Sequence, residues 1–373
     1  MQSAAAMSEP IETTSQIVAT ASSLLAGAGI STARLDAEVL LAHACSGDRT
    51  TLYANWRRNI SSDSHARFAA MLRRRLAREP LQYIVGRQEF WSLDFTVTPD
   101  VLIPRPETEL LVELAVKLAA PIEAEPWRQS DNVVVRPNSI AAARPGRRRG
   151  MNSPAKSQQS PLRGTHRSET ESASADLERL SPGILFPGDR SEPSLSPSRA
   201  RTLNGKAPVI CDVGTGSGCV AAALAHELPD ADIWALDISA AALAVAQGNA
   251  CRLGLAERIR FSQSDLLSAA AARRFDVIVS NPPYVCCEEL RDPQPELRWE
   301  PLRALDGGAA GLDIITRLVT EAHTCLKPGG WLIMEIGGGQ SGAVSELARE
   351  AGFSPVSIES DYTGLPRALL ACR

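Results

Sequence analysis

The sequence predicts an α/β fold in which an open, mainly parallel sheet follows a small helical domain. From residue 209 to the C-terminus, apolar strands alternate with helices, which is typical of a sheet covered by helices on both faces. Much of the first 86 residues instead shows apolar residues at helical spacing. The last two predicted strands are separated by eight residues without a helix, so we expect an antiparallel hairpin at that edge of the sheet.

The N-terminal helical domain is expected to span residues 1–86. Apolar residues recur at helical spacing in three segments, Ser15–Ala28, Ala33–Ala44 and Ser64–Arg78. Three arginines, Arg73–Arg75, lie near the end of the third helix, where positive charge interacts favourably with the helix dipole. The glycine at position 86 then ends the helical pattern.

Residues 87–126 are expected to connect this domain to the sheet. Glu89–Val97 is rich in aromatic and β-branched residues and predicts a hairpin. A proline-rich segment, Ile103–Glu109, comes next, and a helix is expected from about Glu109 to Leu118.

The sheet domain is expected to span residues 205–373. Its strands are predicted at Val209–Val213, Asp232–Asp237, Arg258–Ser264, Phe275–Ser280, Trp331–Ile336, Val356–Glu359 and Ala368–Cys372. Its helices are predicted at Val220–Leu228, Ala240–Leu253, Leu312–Cys325 and Ser341–Ala351.

The segment 127–204 differs from the rest of the chain in composition. It contains 13 Ser and 8 Pro, so we expect a disordered insertion that cannot bury enough apolar surface to offset chain entropy. Its 13 basic and 7 acidic residues give a net charge of +6, and because the whole chain carries −4, the remainder carries −10. Arg147–Arg149 fit a solvated basic segment better than a nucleic-acid contact.

Composition excludes several classes of protein. No apolar run reaches the ~18 residues that a membrane-spanning helix needs. Glu9 and Glu12 lie where a signal or transit peptide would be basic or apolar, and either Met1 or Met7 can be the first residue. The 8 cysteines and 5 histidines show no metal-binding spacing. We therefore expect a cytoplasmic protein with reduced thiols, no metal and no membrane contact.

A glycine-rich loop follows the first strand of the sheet domain and opens a helix. Asp212–Gly218 reads Asp-Val-Gly-Thr-Gly-Ser-Gly, and its glycines allow a sharp turn and close approach of a ligand. Asp237 ends the next strand, where a carboxylate can accept both hydroxyls of a ribose. The spacing differs from the G-x-G-x-x-G of dinucleotide folds, and Asp212 repels a pyrophosphate. The loop therefore favours cationic S-adenosylmethionine over NAD, with Asp265 near the adenine.

The tetrapeptide Asn281-Pro282-Pro283-Tyr284 directly follows the apolar strand Phe275–Ser280. At the carboxyl end of a parallel strand it is expected to face the cofactor. The two prolines stiffen the backbone and leave its carbonyls free to accept hydrogen bonds. The Asn281 side-chain oxygen and the Pro282 carbonyl can hold the two hydrogens of a planar NH2 group, while Tyr284 stacks on its flat face. This arrangement orients the nitrogen for alkylation without a strong base.

The strand and tetrapeptide resemble the motif of methyltransferases that act on planar nitrogens, including adenine-N6 DNA, guanine-N2 RNA and protein glutamine-N5 enzymes. Pro80–Gly86, Ile103–Glu109 and the Phe90–Phe95 stretch, together with this motif, resemble the HemK/PrmC family of peptide chain release factor glutamine methyltransferases. The resemblance covers about residues 15–125 and 206–373. It implies a Rossmann-like class I methyltransferase sheet and an N-terminal domain that recognises the release factor.

The resemblance also implies which residues form the site. The implied cofactor contacts are Gly214, Thr215, Gly216, Ser217, Gly218, Asp237, Asp265, Leu266 and Asn281. The implied substrate contacts are Asn281, Pro282, Pro283, Tyr284 and Arg105, of which Asn281, Pro282 and Tyr284 are the catalytic set. The family often has an aromatic residue where this chain has Leu266, which implies weaker adenine stacking. A sister family that methylates a ribosomal protein differs at the Arg105–Glu109 loop, which favours release factors.

Two other functions stay open on the sequence alone. A nucleic-acid amino-group methyltransferase needs a basic face, whereas the residues outside the insertion carry a net negative charge, so stable nucleic-acid binding is not expected. A non-catalytic binding protein is disfavoured because the glycine loop and the tetrapeptide are both intact. We expect a monomer.

Gly338-Gly339-Gln340 matches the tripeptide that release factors carry as substrate. It follows a predicted strand and precedes a predicted helix, which favours a tight turn near the cofactor. Methylation of Gln340 by the protein itself is the alternative.

Overall fold

The computed structural model describes residues 12–119 and 207–373. The predicted insertion at residues 127–204 and the choice between Met1 and Met7 lie outside the described residues. Every helix within the two described ranges is too short or too polar to cross a membrane.

Short helices fill the described part of the N-terminal region. They are α1 (Thr14–Gly27), α2 (Ala33–Ala44), α3 (Arg49–Ala54), α4 (Ser62–Leu76) and α5 (Leu81–Val85). The three predicted helices are confirmed as α1, α2 and α4. The sequence pattern misses α3 and α5, because helices of six and five residues are too short to show a helical period.

Local capping and apolar burial explain this helical region. The Asp48 carboxylate accepts a hydrogen bond from the Thr51 backbone N–H at 2.7 Å, which satisfies a free donor at the start of α3. Leu25, Leu40 and Leu41 are fully buried in the core that these helices share. Packing of this apolar face, more than helix propensity, stabilises such short helices.

Arginines at and just after the end of α4 form ion pairs with other parts of the chain, which a favourable interaction with the helix dipole does not predict. Arg75 is buried and donates to Asp36 at 2.7 Å and to Glu296 at 3.0 Å. Arg78 donates to the other oxygen of Glu296 at 2.8 Å. Glu296 lies in a short 3-10 helix, Pro295–Trp299, so these pairs fix the helical region against the sheet domain.

Strands β1 (Arg87–Phe90) and β2 (Leu93–Thr96) form the predicted hairpin. Phe90 and Phe95 are buried, and their rings meet edge to face with 6.3 Å between centroids. Helix α6 (Glu109–Ala119) follows the proline-rich loop and packs in the same core. The hairpin therefore shares its core with the sheet domain.

Among the described residues, seven strands form one sheet in the order β5-β4-β3-β6-β7-β9-β8. They are β3 (Val209–Val213), β4 (Asp232–Asp237), β5 (Ile259–Gln263), β6 (Phe275–Ser280), β7 (Leu326–Glu335), β8 (Val356–Ser360) and β9 (Pro366–Cys372). Strands β3 to β7 pair in parallel, whereas β9 pairs antiparallel with both β7 and β8. The predicted antiparallel hairpin is confirmed, with β8 as the edge strand.

Helices cover both faces of this sheet. They are α7 (Cys219–Glu227), α8 (Ala240–Arg252), α9 (Asp313–Cys325) and α10 (Ser341–Glu350). One core contains residues of α6 and α7, and the other contains residues of α9 and α10. Ile210 belongs to the first core and its neighbour Cys211 to the second, as expected for a strand that alternates between two buried faces.

One buried amide joins the hairpin to the glycine-rich loop. Asn249 of α8 is 1% exposed, and its side-chain oxygen accepts from the Thr96 N–H at 2.8 Å. Its Nδ2 donates to the carbonyls of Thr96 at 3.0 Å and Ser217 at 2.9 Å. Asn249 therefore fixes β2 relative to the loop that precedes α7.

We expect Asn249→Ala to lower the free energy of unfolding by roughly 2–4 kcal/mol, because buried backbone groups lose their partners. Urea denaturation followed by circular dichroism measures this change. The matched control is Asn55→Ala, which removes one exposed hydrogen bond to the Thr51 carbonyl. It is expected to cost less than about 1 kcal/mol, and equal losses in the two variants would contradict the bridging role of Asn249.

Candidate active site

A cavity of about 780 Å³ lies at the carboxyl ends of the parallel strands. The loop before α6 and the loops after β3, β4, β5 and β6 form its wall. Sequence-predicted residues on the wall are Arg105, Gly214, Thr215, Gly216, Ser217, Asp237, Asp265, Leu266, Asn281 and Pro283. Strand order reverses between β3 and β6, so the loops there diverge and leave a crevice for a ligand.

The glycine-rich loop uses its three glycines in two ways. Gly214, Gly216 and Gly218 have φ of +74°, +55° and +80°, a region that residues with a side chain rarely adopt. A Cβ at Gly214 or Gly216 would meet no atom closer than 4.0 Å, so both face open space. A Cβ at Gly218 would lie 3.0 Å from the Cβ of Ala246 on α8. The first two glycines leave room at the cavity, whereas Gly218 allows α7 and α8 to pack closely.

Asp212, at the end of β3, is 2% exposed and shapes the loop from within. Its Oδ2 accepts from the Thr215 hydroxyl at 2.7 Å and from the Ala221 N–H at 3.2 Å. Burial raises the pKa of Asp212 to about 7, and the nearby charge of Asp237 adds to the rise. Asp212 also lies on the cavity wall, which is where the sequence predicted a carboxylate facing a cationic ligand.

Asp237 joins the glycine-rich loop to the start of α8. Its two oxygens accept from the N–H groups of Gly216 at 2.9 Å and Ser239 at 2.8 Å. The carboxylate is thereby held at the cavity wall by backbone donors on either side.

Asp265 and Leu266 follow β5 and line the same cavity. Asp265 accepts from the guanidinium of Arg317 on α9 at 2.8 Å. Leu266 has a φ of +48°, which turns the chain sharply beside the cavity. The sequence motif does not indicate Arg317, because its contact depends on how α9 packs.

The segment that follows β6, Asn281–Tyr284, is called the corner and is held in place by hydrogen bonds. The Ser280 hydroxyl donates to the Val213 carbonyl at 2.7 Å, which ties the end of β6 to the end of β3. The next residue, Asn281, lies on the cavity wall, and its Nδ2 donates to the Thr108 hydroxyl at 3.1 Å. Pro283 also lies on the wall, whereas Pro282 is buried behind it.

Tyr284 does not line the cavity, and hydrogen bonds hold both its side-chain hydroxyl and its backbone carbonyl. Its hydroxyl donates to Glu335 Oε1 at 3.1 Å, and its carbonyl accepts from Gln340 Nε2 at 3.0 Å. Burial, followed by the charge of Glu335, raises the pKa of the Tyr284 hydroxyl, which keeps the hydroxyl protonated.

Sequence reasoning missed Thr108 and Glu335. Glu335 ends β7, is 1% exposed, and accepts from the Thr108 hydroxyl at 2.7 Å. Burial raises the pKa of Glu335, although the Thr108 and Tyr284 hydroxyls oppose this effect. A glutamate at the end of the apolar run Trp331–Met334, on the same sheet edge as Asn281, was the available signal.

A second buried carboxylate holds the proline-rich loop. Arg105 donates to Glu300 Oε1 at 2.5 Å, and Glu300 Oε2 accepts from the Ile103 N–H at 3.1 Å. Glu300 is 7% exposed, and nothing in its local sequence pattern indicated this contact. These bonds keep the Arg105 loop at the wall.

Gln340 lies in the loop between β7 and α10, as the predicted tight turn requires. Its side-chain oxygen accepts from the Gly337 N–H at 2.8 Å. Its Nε2 donates to the carbonyls of Tyr284 and Gly311 at 3.0 and 3.3 Å. The Gln340 side-chain amide, which methylation of Gln340 by the protein itself would require, is therefore engaged in hydrogen bonds to the segment that carries Tyr284.

Two family models match the chain, the PrmC N-terminal domain over residues 16–86 and the methyltransferase small domain over residues 200–292. A release factor glutamine methyltransferase of Moorella thermoacetica is 36% identical over 94% of this chain and 94% of its own length. This chain belongs to the release factor glutamine methyltransferase family. Relatives of the same name from Geobacter sulfurreducens and Burkholderia pseudomallei are each 33% identical, over 92% and 96% of this chain and 91% and 98% of their own.

Among solved structures, a methyltransferase from Pyrococcus furiosus aligns with 45% of this family member and 75% of its own chain, at 20% identity and a TM-score of 0.35.

The two uses of glycine in the loop lead to a stability prediction. Gly218→Ala is expected to destabilise the protein by at least about 1 kcal/mol more than Gly254→Ala. Both positions have positive φ, of +80° and +72°, but only at Gly218 would the new Cβ meet Ala246. Unfolding free energies from urea titration test this difference. If the two variants lose the same amount, close packing is not the reason for Gly218.

Proposed function

We propose that this protein transfers a methyl group from S-adenosylmethionine to the side-chain amide nitrogen, N5, of the glutamine in the GGQ motif of class 1 peptide chain release factors. Membership of the family supports this proposal. The observation that carries it is Asn281, whose Nδ2 is engaged by Thr108 while the residue lies on the cavity wall. Its side-chain oxygen is therefore available as an acceptor for a substrate N–H.

The wall residues fit S-adenosylmethionine. Open space beside Gly214 and Gly216 leaves room for a ligand against the backbone, and a second aspartate, Asp237, offers a carboxylate suited to ribose hydroxyls. The residues proposed to hold the cofactor are Gly214, Thr215, Gly216, Ser217, Asp237, Asp265, Leu266 and Asn281, with Gly218 contributing through packing. When bound, S-adenosylmethionine supplies an electrophilic methyl group.

Asn281 and Pro282 are proposed to accept the two N–H hydrogens of the glutamine amide. An amide nitrogen is a weak nucleophile, because its lone pair is delocalised into the carbonyl group. Acceptors on both hydrogens stabilise the positive charge that grows on nitrogen in the transition state and hold the lone pair in line. Pro282 is buried and its ring fixes φ, so this acceptor needs little reorganisation.

The neighbouring residues are proposed to shape the glutamine site. The Tyr284 hydroxyl is held by Glu335, and we propose that the Tyr284 ring and Pro283 flank the substrate amide. Arg105 is proposed to wall the entrance on the other side, held by Glu300. With the net negative charge outside residues 127–204, this site favours a cytoplasmic protein substrate over nucleic acid, and we propose that the chain acts as a monomer.

Asn281→Ala is expected to lower kcat by about 100-fold or more, because the variant loses an acceptor that acts mainly in the transition state. Mass spectrometry of a purified release factor after incubation with protein and S-adenosylmethionine measures the 14-Da gain on the GGQ glutamine. Asn281 is one of eight residues proposed to hold the cofactor, and its side-chain oxygen is proposed to accept from the substrate amide. Calorimetry is therefore expected to find the Kd for S-adenosylmethionine within about threefold of wild type.

Asn55→Ala, a change at the residue directly after α3 and far along the chain from the tetrapeptide, is the control and is expected to keep full turnover. Label that appears only on RNA or DNA would refute the proposed function. Unchanged turnover in Asn281→Ala would refute the role of Asn281.

The raised pKa of Asp212 predicts pH-dependent cofactor affinity. Because that pKa is about 7, Asp212 loses its charge as the pH falls through neutrality, and a cationic ligand loses a favourable partner. The Kd for S-adenosylmethionine is expected to rise by up to about fivefold from pH 7 to pH 6. S-adenosylhomocysteine, which lacks the sulfonium charge, is the matched ligand and is expected to show a smaller change. An identical pH dependence for both ligands, or its persistence in Asp212→Asn, would contradict this explanation.

A further inference from the structure

We propose that Thr108 and Glu335 are positioning residues that determine which end of the Asn281 side-chain amide faces the cavity. This inference rests on the proposed function and concerns how the site distinguishes a glutamine from a glutamate. An asparagine amide has a carbonyl oxygen and an NH2 group of nearly the same shape, so packing alone does not select one orientation.

Counting donors and acceptors gives the orientation. Glu335 as a carboxylate can only accept, so the single hydrogen of the Thr108 hydroxyl goes to Glu335 Oε2, at 2.7 Å. The Thr108 oxygen can then only accept, and the Asn281 group that donates to it, at 3.1 Å, has to be the NH2 end. The Asn281 oxygen is left for the cavity.

Burial makes this chain of hydrogen bonds difficult to replace with water. Thr108 is 3% exposed and Glu335 is 1% exposed. The second oxygen of Glu335 accepts from the Tyr284 hydroxyl at 3.1 Å, so the carboxylate is held on both sides. A buried polar atom that loses its partner is costly, and the alternative orientation of Asn281 would bring two acceptors together or leave Thr108 without its hydrogen bond.

The consequence is selection for a donor on the substrate. A glutamine amide offers N–H hydrogens to the Asn281 oxygen, whereas a glutamate carboxylate offers only oxygens and would be repelled. Without the Thr108 hydroxyl, Asn281 is free to turn its NH2 group toward the cavity. A carboxylate would then be accepted better and an amide worse.

The orientation of the Asn281 amide depends on Glu335 being a carboxylate. The groups that face it are the Thr108 and Tyr284 hydroxyls, Arg367 on β9 and Glu107 beside Thr108. Protonated Glu335 could donate to Thr108, whose hydrogen would then point to Asn281 and favour the reversed amide. Because burial raises the pKa of Glu335, turnover is expected to fall in acid at a pH above the usual glutamate range.

The test compares Thr108→Val, which keeps the shape and removes the hydroxyl, with Thr108→Ser, which keeps the hydroxyl. Each full-length variant is assayed with a release factor as substrate and with the same release factor carrying GGE as a competitive inhibitor. Thr108→Val is expected to lower kcat/KM for GGQ by about 10- to 100-fold. Its inhibition constant for GGE is expected to fall relative to the KM for GGQ, and Thr108→Ser is expected to restore both values.

A general loss of structure would weaken both ligands alike, so the ratio of GGE to GGQ affinity separates orientation from damage. Glu335→Gln provides a second test, since its amide can either accept from or donate to Thr108. The assay uses saturating S-adenosylmethionine, so that protonation of Asp212 does not limit turnover. The acid limb of kcat/KM for GGQ is then expected to disappear in Glu335→Gln while calorimetry still detects cofactor binding. An unchanged affinity ratio in Thr108→Val would overturn this inference, whereas a wild-type protein that fails to methylate GGQ would overturn the proposed function itself.

Discussion

Glu335 is a buried carboxylate that accepts one hydrogen bond on each oxygen, and the arrangement of the segment Asn281–Tyr284 depends on it. Its donors are Thr108, from the loop before α6, and Tyr284, from the segment after β6. A buried charge without donors is costly, so these three distant segments have to meet at the end of β7. Thr108, which donates to Glu335, also accepts from Asn281 at the cavity wall. The same hydrogen bonds therefore stabilise the corner and orient Asn281.

On the other side of the cavity, two aspartates are likewise held by hydrogen-bond donors, three backbone N–H groups and one hydroxyl. Asp237 accepts from the N–H groups of Gly216 and Ser239, and Asp212 accepts from Thr215 and the Ala221 N–H. Among the loop glycines, Gly216 donates its own N–H to Asp237 at a φ of +55°, and the space beside Gly214 and Gly216 is open. The backbone of the loop is therefore already turned and held beside the cavity, which supports the proposed cofactor site.

The segment that follows the corner is tied to the N-terminal half of the chain at two points. Glu296 pairs with Arg75 and Arg78 of the helical region, and Glu300 pairs with Arg105 of the proline-rich loop. Ion pairs therefore hold the helical region against the sheet domain. These ion pairs hold the segment after the corner against both the helical region and the proline-rich loop.

The sequence by itself determined the sheet, its antiparallel edge, the main helices and two of the segments that line the cavity. These depend on local periodicity, on glycine conformation and on the stiffness of an Asn-Pro-Pro-Tyr segment. Element ends shifted by a few residues, and β7 begins five residues before the predicted strand, since a Lys-Pro-Gly-Gly segment has no strand pattern. Only the tertiary structure decided the roles of Thr108, Glu300 and Glu335. Each is a common polar residue whose partner lies 51 or more positions away, and a side chain's partner at that distance is set by packing of the whole chain.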